Sequence, residues 1–415
     1  DRSLVQAMLD FEAALARAEA KAGVIPASAA ASIAAAASAD GIDAAAIARD
    51  ARASGTVSIP LVKALTARVL AADAESARYV HFGATSQDVS DSAMALAIGR
   101  ARAVLAADHD RLERELRQLS DRHAGTVMLG RTLLQPAPPI TFGLKVAHWV
   151  AALARGWARI EAAGNEAAIL QFGGASGTLA ALGDRGPAVS RALADDLGLR
   201  APEAPWHAHR DRLAALVAAC GIYTGTLGKI ARDVSLLMQD ETSEVAEPGG
   251  GSSTMPNKRN PTGCAIALAA ATRLPGLVAA FLTGMVQEHE RAVGGWHAEW
   301  PTIAAAIQTT GSAMAAMAEV VGGLSVNVDR MRANIESSNG AIFAERVTML
   351  LIPSVGREAA TRFVIEALNV SRESGKTFRE ALLDMAEIAR VIPADQLRTI
   401  DAPEDYLGVA EALRV

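Results

Sequence analysis

Aromatic side chains are scarce in this chain of 415 residues, with Phe, Trp and Tyr together at 4%. So small a supply suits closely packed helices better than a stacking platform for nucleic-acid bases. An excess of one charge is missing too: 40 basic and 46 acidic residues are scattered along the chain, for a formal net charge of −6. No nucleic-acid or lipid surface is implied. Only two cysteines occur, Cys220 and Cys264, both in apolar helical contexts. A disulfide framework is excluded, and a reducing cytoplasm is the expected location. The chain opens on Asp1 rather than Met, and no signal peptide is visible. Residues 22–39 and 302–318 lack charges but are rich in Ala, Ser, Thr or Gly. They lack the Leu, Ile and Phe content of a membrane span, so a soluble protein is expected.

Metal-ligand spacing is absent as well. His207-Ala208-His209 is an isolated pair, and Gln287-Glu288-His289-Glu290-Arg291 lacks the second histidine of a zinc-protease helix. No metal and no cofactor are expected. The glycine-rich stretch Gln171–Leu179 follows no strand and lacks dinucleotide-binding spacing.

What is present is helical period, nearly everywhere. Ser3–Gly23 predicts a first helix with Leu4, Met8, Phe11, Leu15 and Ala18 on one face, ended by Gly23-Val24-Ile25-Pro26. Pro60–Ala72 and Asp88–Leu119 follow, the latter with Leu105, Leu112, Leu116 and Leu119 on a bundle face. From Trp206 to Glu247 no proline interrupts the period, which predicts a helix of roughly 60 Å. Pro261–Val293, bent at Pro275, and Pro301–Val326 are the next long helices. After Asn327 the pattern shortens. The expected fold is all-α: an N-terminal helical domain (1–95), a central long-helix bundle (96–335) and a C-terminal helical domain (336–415). Long helices with Ala and Gly on several faces want partners on all sides, which points to a bundle completed by other subunits.

One stretch stands apart from this helical background, Gly249-Gly250-Gly251-Ser252-Ser253-Thr254-Met255-Pro256-Asn257-Lys258-Arg259-Asn260-Pro261. Three glycines free the backbone, two hydroxyls and a cation follow, and Asn260-Pro261 predicts a helix start. The unpaired N–H groups of that start, beside Lys258, would suit a carboxylate. A phosphate-binding loop is excluded, because Asn257 and Arg259 stand where it needs Gly and Ser or Thr. Met-Pro-Asn-Lys-Arg-Asn-Pro is also too particular for a Gly/Ser linker. Residues 251–261 resemble, without a gap, the signature loop of the fumarase/aspartase superfamily. The resemblance implies that Ser252 is the base acting on the carbon next to a carboxylate. It also implies that Lys258 and Asn260 steady the dianion, with Ser253 and Met255 as binding neighbours. Three all-helical domains, a twenty-helix core in a homotetramer, and active sites shared between three subunits are implied in the same way.

His81-Phe82-Gly83-Ala84-Thr85-Ser86-Gln87-Asp88 precedes a helix, and its small donors suit a carboxylate. Plain capping by Ser86 or Asp88 is the competing explanation. By the resemblance, Thr85, Ser86 and Gln87 bind substrate. Gly130-Arg131-Thr132-Leu133-Leu134-Gln135-Pro136-Ala137 stands at the second region, where many relatives supply a catalytic histidine. Leu133 and Pro136 replace that pattern here. Gln135 can donate a hydrogen bond but cannot shuttle a proton.

The stretches 171–179, Pro205–Arg212, Glu288–Arg291 and Gly295–Trp300 together resemble the bacterial 3-carboxy-cis,cis-muconate cycloisomerase family, nearly end to end. That likeness adds Arg131, Gln135, Trp149 and Arg291 to the expected binding set. It implies a small tricarboxylate substrate lactonised in the protocatechuate branch of aromatic catabolism. Two departures are visible: Asn257 replaces the loop's usual histidine, and Glu247–Gly250 is short. An adenylosuccinate-type lyase, a sulfomuconate cycloisomerase and an inactive structural relative are the alternatives.

Overall fold

The computed structural model describes residues 2–414. Asp1 and Val415, the outer ends of the first and third expected domains, lie outside the described residues. Helix dominates as expected, and two small two-stranded sheets are the remaining regular structure among the described residues. In chain order the elements begin with α1 (Arg2–Lys21), α2 (Ala27–Ala36), α3 (Ala44–Ser54), α4 (Ser58–Ala72) and α5 (Ser86–Arg122). A hairpin of β1 (Val127–Thr132) and β2 (Gln135–Thr141) precedes α6 (Phe142–Ala167) and α7 (Gly186–Leu197). Next come α8 (Asp211–Leu237), β3 (Val245–Ala246), α9 (Thr262–Thr283), α10 (Gly295–Gly322) and β4 (Ser325–Val326). Six shorter helices, α11 to α16, lie between Val328 and Arg398.

The chain gathers into two compact units. One comprises Asp1–Ala107, Gly156–Thr224 and Ala271–Gly311. Its core packs α1 against α2 and α7, with Met8, Phe11, Leu15 and Ala18 buried on the face that the heptad-like spacing picks out. The other comprises Asp108–Arg155, Gly225–Ala270 and Ser312–Val415. It holds the hairpin, the Gly/Ser-rich loop and a terminal cluster around Val347, Leu351, Phe378 and Leu397. α14 (Phe378–Leu383) in that cluster opens on a capping box, Thr377 with Glu380.

Three expectations need correction. The helix expected over 206–247 is the 27-residue α8, roughly 40 Å long. No proline marks its end, but Ser243 at φ 50° turns the chain, and Glu244, fully buried, pairs with Arg131. α9 stops at Thr283, not Val293: Gly284 closes it with bonds to Ala280 and Phe281, and residues 284–294 are irregular. α10 begins at Gly295, with Pro301 inside it, and ends at Gly322 so that Ser325–Val326 can pair with Val245–Ala246. The second region is a hairpin. Pro136, Pro138 and Pro139 hide a strand in the sequence, and a two-stranded sheet tolerates them because each strand keeps a free edge. The turn residues Leu133 and Leu134 take φ 50° and 64°, values costly for bulky side chains.

Two helices that are not charge-free, α8 and α9, are nevertheless long and apolar enough by length and composition to cross a membrane. Most of α8's apolar window is buried inside the protein, whereas 22% of that of α9 is.

α1 also buries two acids. Glu12 meets His81 Nδ1 at 2.7 Å, whereas both carboxyl oxygens of Glu19 are buried with no hydrogen-bond partner. Burial, then the charge of Glu12, pushes the Glu19 carboxyl up to about 8. An unfolded Glu titrates near ~4.3, so the folded state holds one extra proton between that pH and about 8. The stability this contributes is full below the unfolded value and is lost as pH rises through the folded one, by up to ~1.4 kcal/mol per pH unit. Glu19→Gln should therefore gain on the wild type steadily from pH 5 to pH 8 in urea denaturation. A difference that stays constant across that range would contradict a protonated Glu19.

Candidate active site

The loop before α5 is shaped by His81 and Gly83, both at positive φ. A side chain at Gly83 would meet Leu182 at 2.9 Å, so glycine is required there. Asp88, in the first turn of α5, reaches back to the Thr85 N–H at 3.1 Å, half of a capping box. The same buried carboxylate accepts from Gly173 N (3.1 Å), Gly174 N (2.9 Å) and His207 Nε2 (2.7 Å). Burial lifts the Asp88 carboxyl above its ordinary range, against the pull of His207 and the backbone donors.

Above this anchor Arg291 donates from Nη1 to Thr85 Oγ1 (2.9 Å) and from Nη2 to the Ala175 carbonyl (3.1 Å). Its Nε is buried and unpaired. Thr85 Oγ1 accepts from Arg291 and so keeps its own proton to give. Ser86 Oγ has no protein partner among the described residues, and the positive end of the 37-residue α5 lies beside both hydroxyls. Hydroxyls, guanidinium and helix start together form a cradle for a carboxylate. Gln87, expected beside them, is fully buried and points inward; its amide donates to Asp91 (3.1 Å) and to the His207 carbonyl (2.8 Å).

Beneath the cradle lies a charge network that no motif announced. Arg210, 2% exposed, donates to both oxygens of Asp91 (2.8 and 3.0 Å) and from Nε to Glu299 (2.9 Å), its guanidinium lying 4.7 Å from the Trp206 ring. Trp296 Nε1 adds a bond to Asp91 (2.9 Å), and Gln287 one to Glu299 (2.6 Å). Trp206 Nε1 donates to the Leu170 carbonyl (2.9 Å), and the His207–His209 pair is committed through His207 to Asp88.

In the other unit the Gly/Ser-rich loop leaves at Glu247 and returns at Thr262. Asn260 N donates to Gly250 O (2.6 Å), and Gly251 bridges Arg259. Ser252 Oγ accepts from Thr254 N (3.3 Å) and Met255 N (3.1 Å). Two donors aimed at one oxygen favour its anionic form, as a serine base requires. Ser253, Met255 and Lys258 are exposed, and Ser252 and Asn260 half-buried. Met255, Lys258 and Asn260 line a cleft of about 1030 Å³ with Gln239, Ser325 and Asp329. The helix start expected to receive a substrate carboxylate is already occupied. Glu247 accepts from Thr262 Oγ1 (3.1 Å), Gly263 N (2.8 Å) and Cys264 N (3.1 Å).

Arg131, on β1, spends its fork on the fully buried Glu244 (2.9 and 2.7 Å), which Asn334 also bonds at 2.7 Å. Gln135 is exposed at the start of β2, beside a hairpin tip where Leu133 is 96% exposed. Trp149 is buried in α6 and donates to Asp233 (2.9 Å). One turn earlier on α6, burial holds the Lys145 ammonium below the usual lysine range, in the field of Asp233, Lys229, Arg131 and Glu244. Lys145 was not anticipated, since a lone lysine within an apolar run carries no motif. Of the expected residues, then, Thr85, Ser86, Gln87 and Arg291 belong to the first unit. Arg131, Gln135, Trp149, Ser252, Ser253, Met255, Lys258 and Asn260 belong to the second.

The lyase family profile matches residues 1–276, and a profile described as adenylosuccinate lyase C-terminus matches 340–414. A 3-carboxy-cis,cis-muconate cycloisomerase of Bradyrhizobium diazoefficiens is 47% identical, over 100% of this chain and 92% of its own. One from Pseudomonas aeruginosa is also 47% identical, over 99% and 91%. The crystal structure of the 3-carboxy-cis,cis-muconate lactonizing enzyme from Pseudomonas putida superimposes with a TM-score of 0.95 at 42% identity, over 100% of this chain and 93% of that one.

Removing one partner from a buried ion network leaves uncompensated charge, at a cost of ~3–5 kcal/mol. Arg210→Met should lower unfolding stability by about that amount in urea titration. An unchanged midpoint would mean that Asp91 and Glu299 do not depend on Arg210.

Proposed function

We propose, from the premise that this chain belongs to the lyase family, that it is a cycloisomerase converting 3-carboxy-cis,cis-muconate to 4-carboxymuconolactone. The observation that carries this is the likeness, across the whole chain, to proteins named for that activity. In the reaction one substrate carboxylate adds across a double bond, forming a C–O bond, and the adjacent carbon takes a proton. The step is redox-neutral and internal to the substrate, so it calls for no electron or group carrier.

The substrate's three carboxylates need several cationic or N–H-rich sites. Thr85, Ser86 and Arg291 offer one. Lys258 and Asn260 offer another, where charge develops beside the reacting carbon. Ser252 carries the proton: acid in lactonisation, base in the reverse elimination. Its two backbone donors compensate the weakness of a serine hydroxyl as a base. With Leu133 and Pro136 at the second region, no imidazole from that hairpin takes part. Gln135, Ser253 and Met255 are exposed and free to reach a ligand. Gln87, Arg131 and Trp149 act through the partners they hold.

The working enzyme is a homotetramer with a twenty-helix core, in which each active site draws on three subunits. The apolar, outward-facing surface of α9 supports this, since a second copy would remove it from water. The division into domains 1–95, 96–335 and 336–415 belongs to the same proposal, as does a cytoplasmic location, which the two buried free thiols suit. A second reading, an adenylosuccinate-type lyase, has the C-terminal profile match in its favour.

Purified protein should bleach the ultraviolet band of the 3-carboxymuconate diene without added metal or nucleotide and yield a lactone. A persistent diene, with turnover of adenylosuccinate or sulfomuconate instead, would overturn the substrate assignment. Ser252→Ala should lower kcat by ~10³-fold or more with the tetramer intact, and Lys258→Met should weaken both binding and turnover. Turnover near wild type in either variant would remove that residue from the mechanism.

A further inference from the structure

We propose that Glu247 is a positioning residue: its buried carboxylate clamps the neck of the loop 248–261 and thereby sets Ser252, Lys258 and Asn260. The inference rests on the cycloisomerase reading for what the loop does, but the clamp is a property of the fold. Glu247 is 2% exposed, and its two oxygens take three bonds from the first residues of α9. Departing and returning strands of the loop are thus held within one hydrogen bond of each other across fifteen residues of sequence. A second tie sits just above, where Asn260 N meets Gly250 O and Gly251 bridges Arg259.

Three glycines make this neck possible. At Gly250, φ 75°, a Cβ would lie 2.0 Å from the Asn260 carbonyl. At Gly263 it would lie 2.4 Å from Val320, and at Gly323 2.6 Å from Pro248, the residue that follows Glu247. The base of the loop is therefore tightly built, whereas its crown is exposed. An internal carboxylate at the helix start has a second effect. It satisfies the N–H groups and the positive end of α9, so a substrate anion finds Lys258 and not the helix.

A cap that merely stabilised α9 would cost stability on removal without moving the loop. The clamp predicts more, and a small anion should replace the lost carboxylate. Glu247→Ala should be cut by trypsin after Lys258 and Arg259 ~10-fold faster than wild type, and formate should slow that cleavage again. Its kcat on 3-carboxymuconate should fall ~10-fold or more with KM changed far less, and formate should restore part of it. Wild-type protein should not respond to formate in either assay. Glu247→Gln, which keeps the shape and one acceptor, should be intermediate in both and serves if the alanine variant does not fold. Wild-type cleavage and kcat in the glutamine variant, or an alanine variant that formate leaves unchanged, would overturn the clamp. If wild type fails to turn over 3-carboxymuconate while formate still protects Glu247→Ala from trypsin, the substrate assignment falls and the clamp stands.

Discussion

A carboxylate taken out of water must be matched by charge or hydrogen bonds, or it must take a proton, and that constraint orders much of this structure. Arg210 compensates Asp91 and Glu299 together. His207 and three backbone N–H groups compensate Asp88. Arg131 and Asn334 serve Glu244, the start of α9 serves Glu247, and His81 serves Glu12. Glu19 has no such partner and is held as a neutral acid. Most of these matches join segments far apart in sequence. The compensated acids thus fix where helices stop and how loops leave them.

The catalytic proposal follows from which groups this leaves over. The guanidinium of Arg131, expected to bind substrate, is used up on Glu244, and the first turn of α9 is used up on Glu247. Thr85 and Ser86 keep free protons, Arg291 keeps a buried N–H, and the Lys258 ammonium stands exposed. These are the groups on which a tricarboxylate can spend its charge. On the proposed mechanism the substrate-facing set is smaller than the motif set, and Gln87, Arg131 and Trp149 hold other side chains instead.

Helices were legible because burial on one face imposes a 3.6-residue period, and α1, α5 and α8 bury the residues that period selects. The signature loop and the Thr85–Ser86 pair were legible because short polar residues beside glycine or a helix start carry their chemistry locally. The hairpin was not, since Pro136, Pro138 and Pro139 mask the strand and Leu133-Leu134 gives no turn signal. The ends of α8 and α9 were missed for another reason: no proline marks either stop, and α9 closes on Gly284 while the chain after α8 turns at Ser243. The pairings of Glu247 and Arg210 were invisible, because nothing local shows which partner, many residues away, a charge will meet.

The proposed reaction adds a carboxylate across a carbon–carbon double bond and delivers one exchangeable proton to the neighbouring carbon. The most direct test is to run the reaction on 3-carboxy-cis,cis-muconate in deuterium oxide and examine the product by NMR. A lactone carrying a single deuterium, at the carbon beside the side-chain carboxylate, is the predicted result. A product without deuterium there, or one split into two fragments, would contradict it.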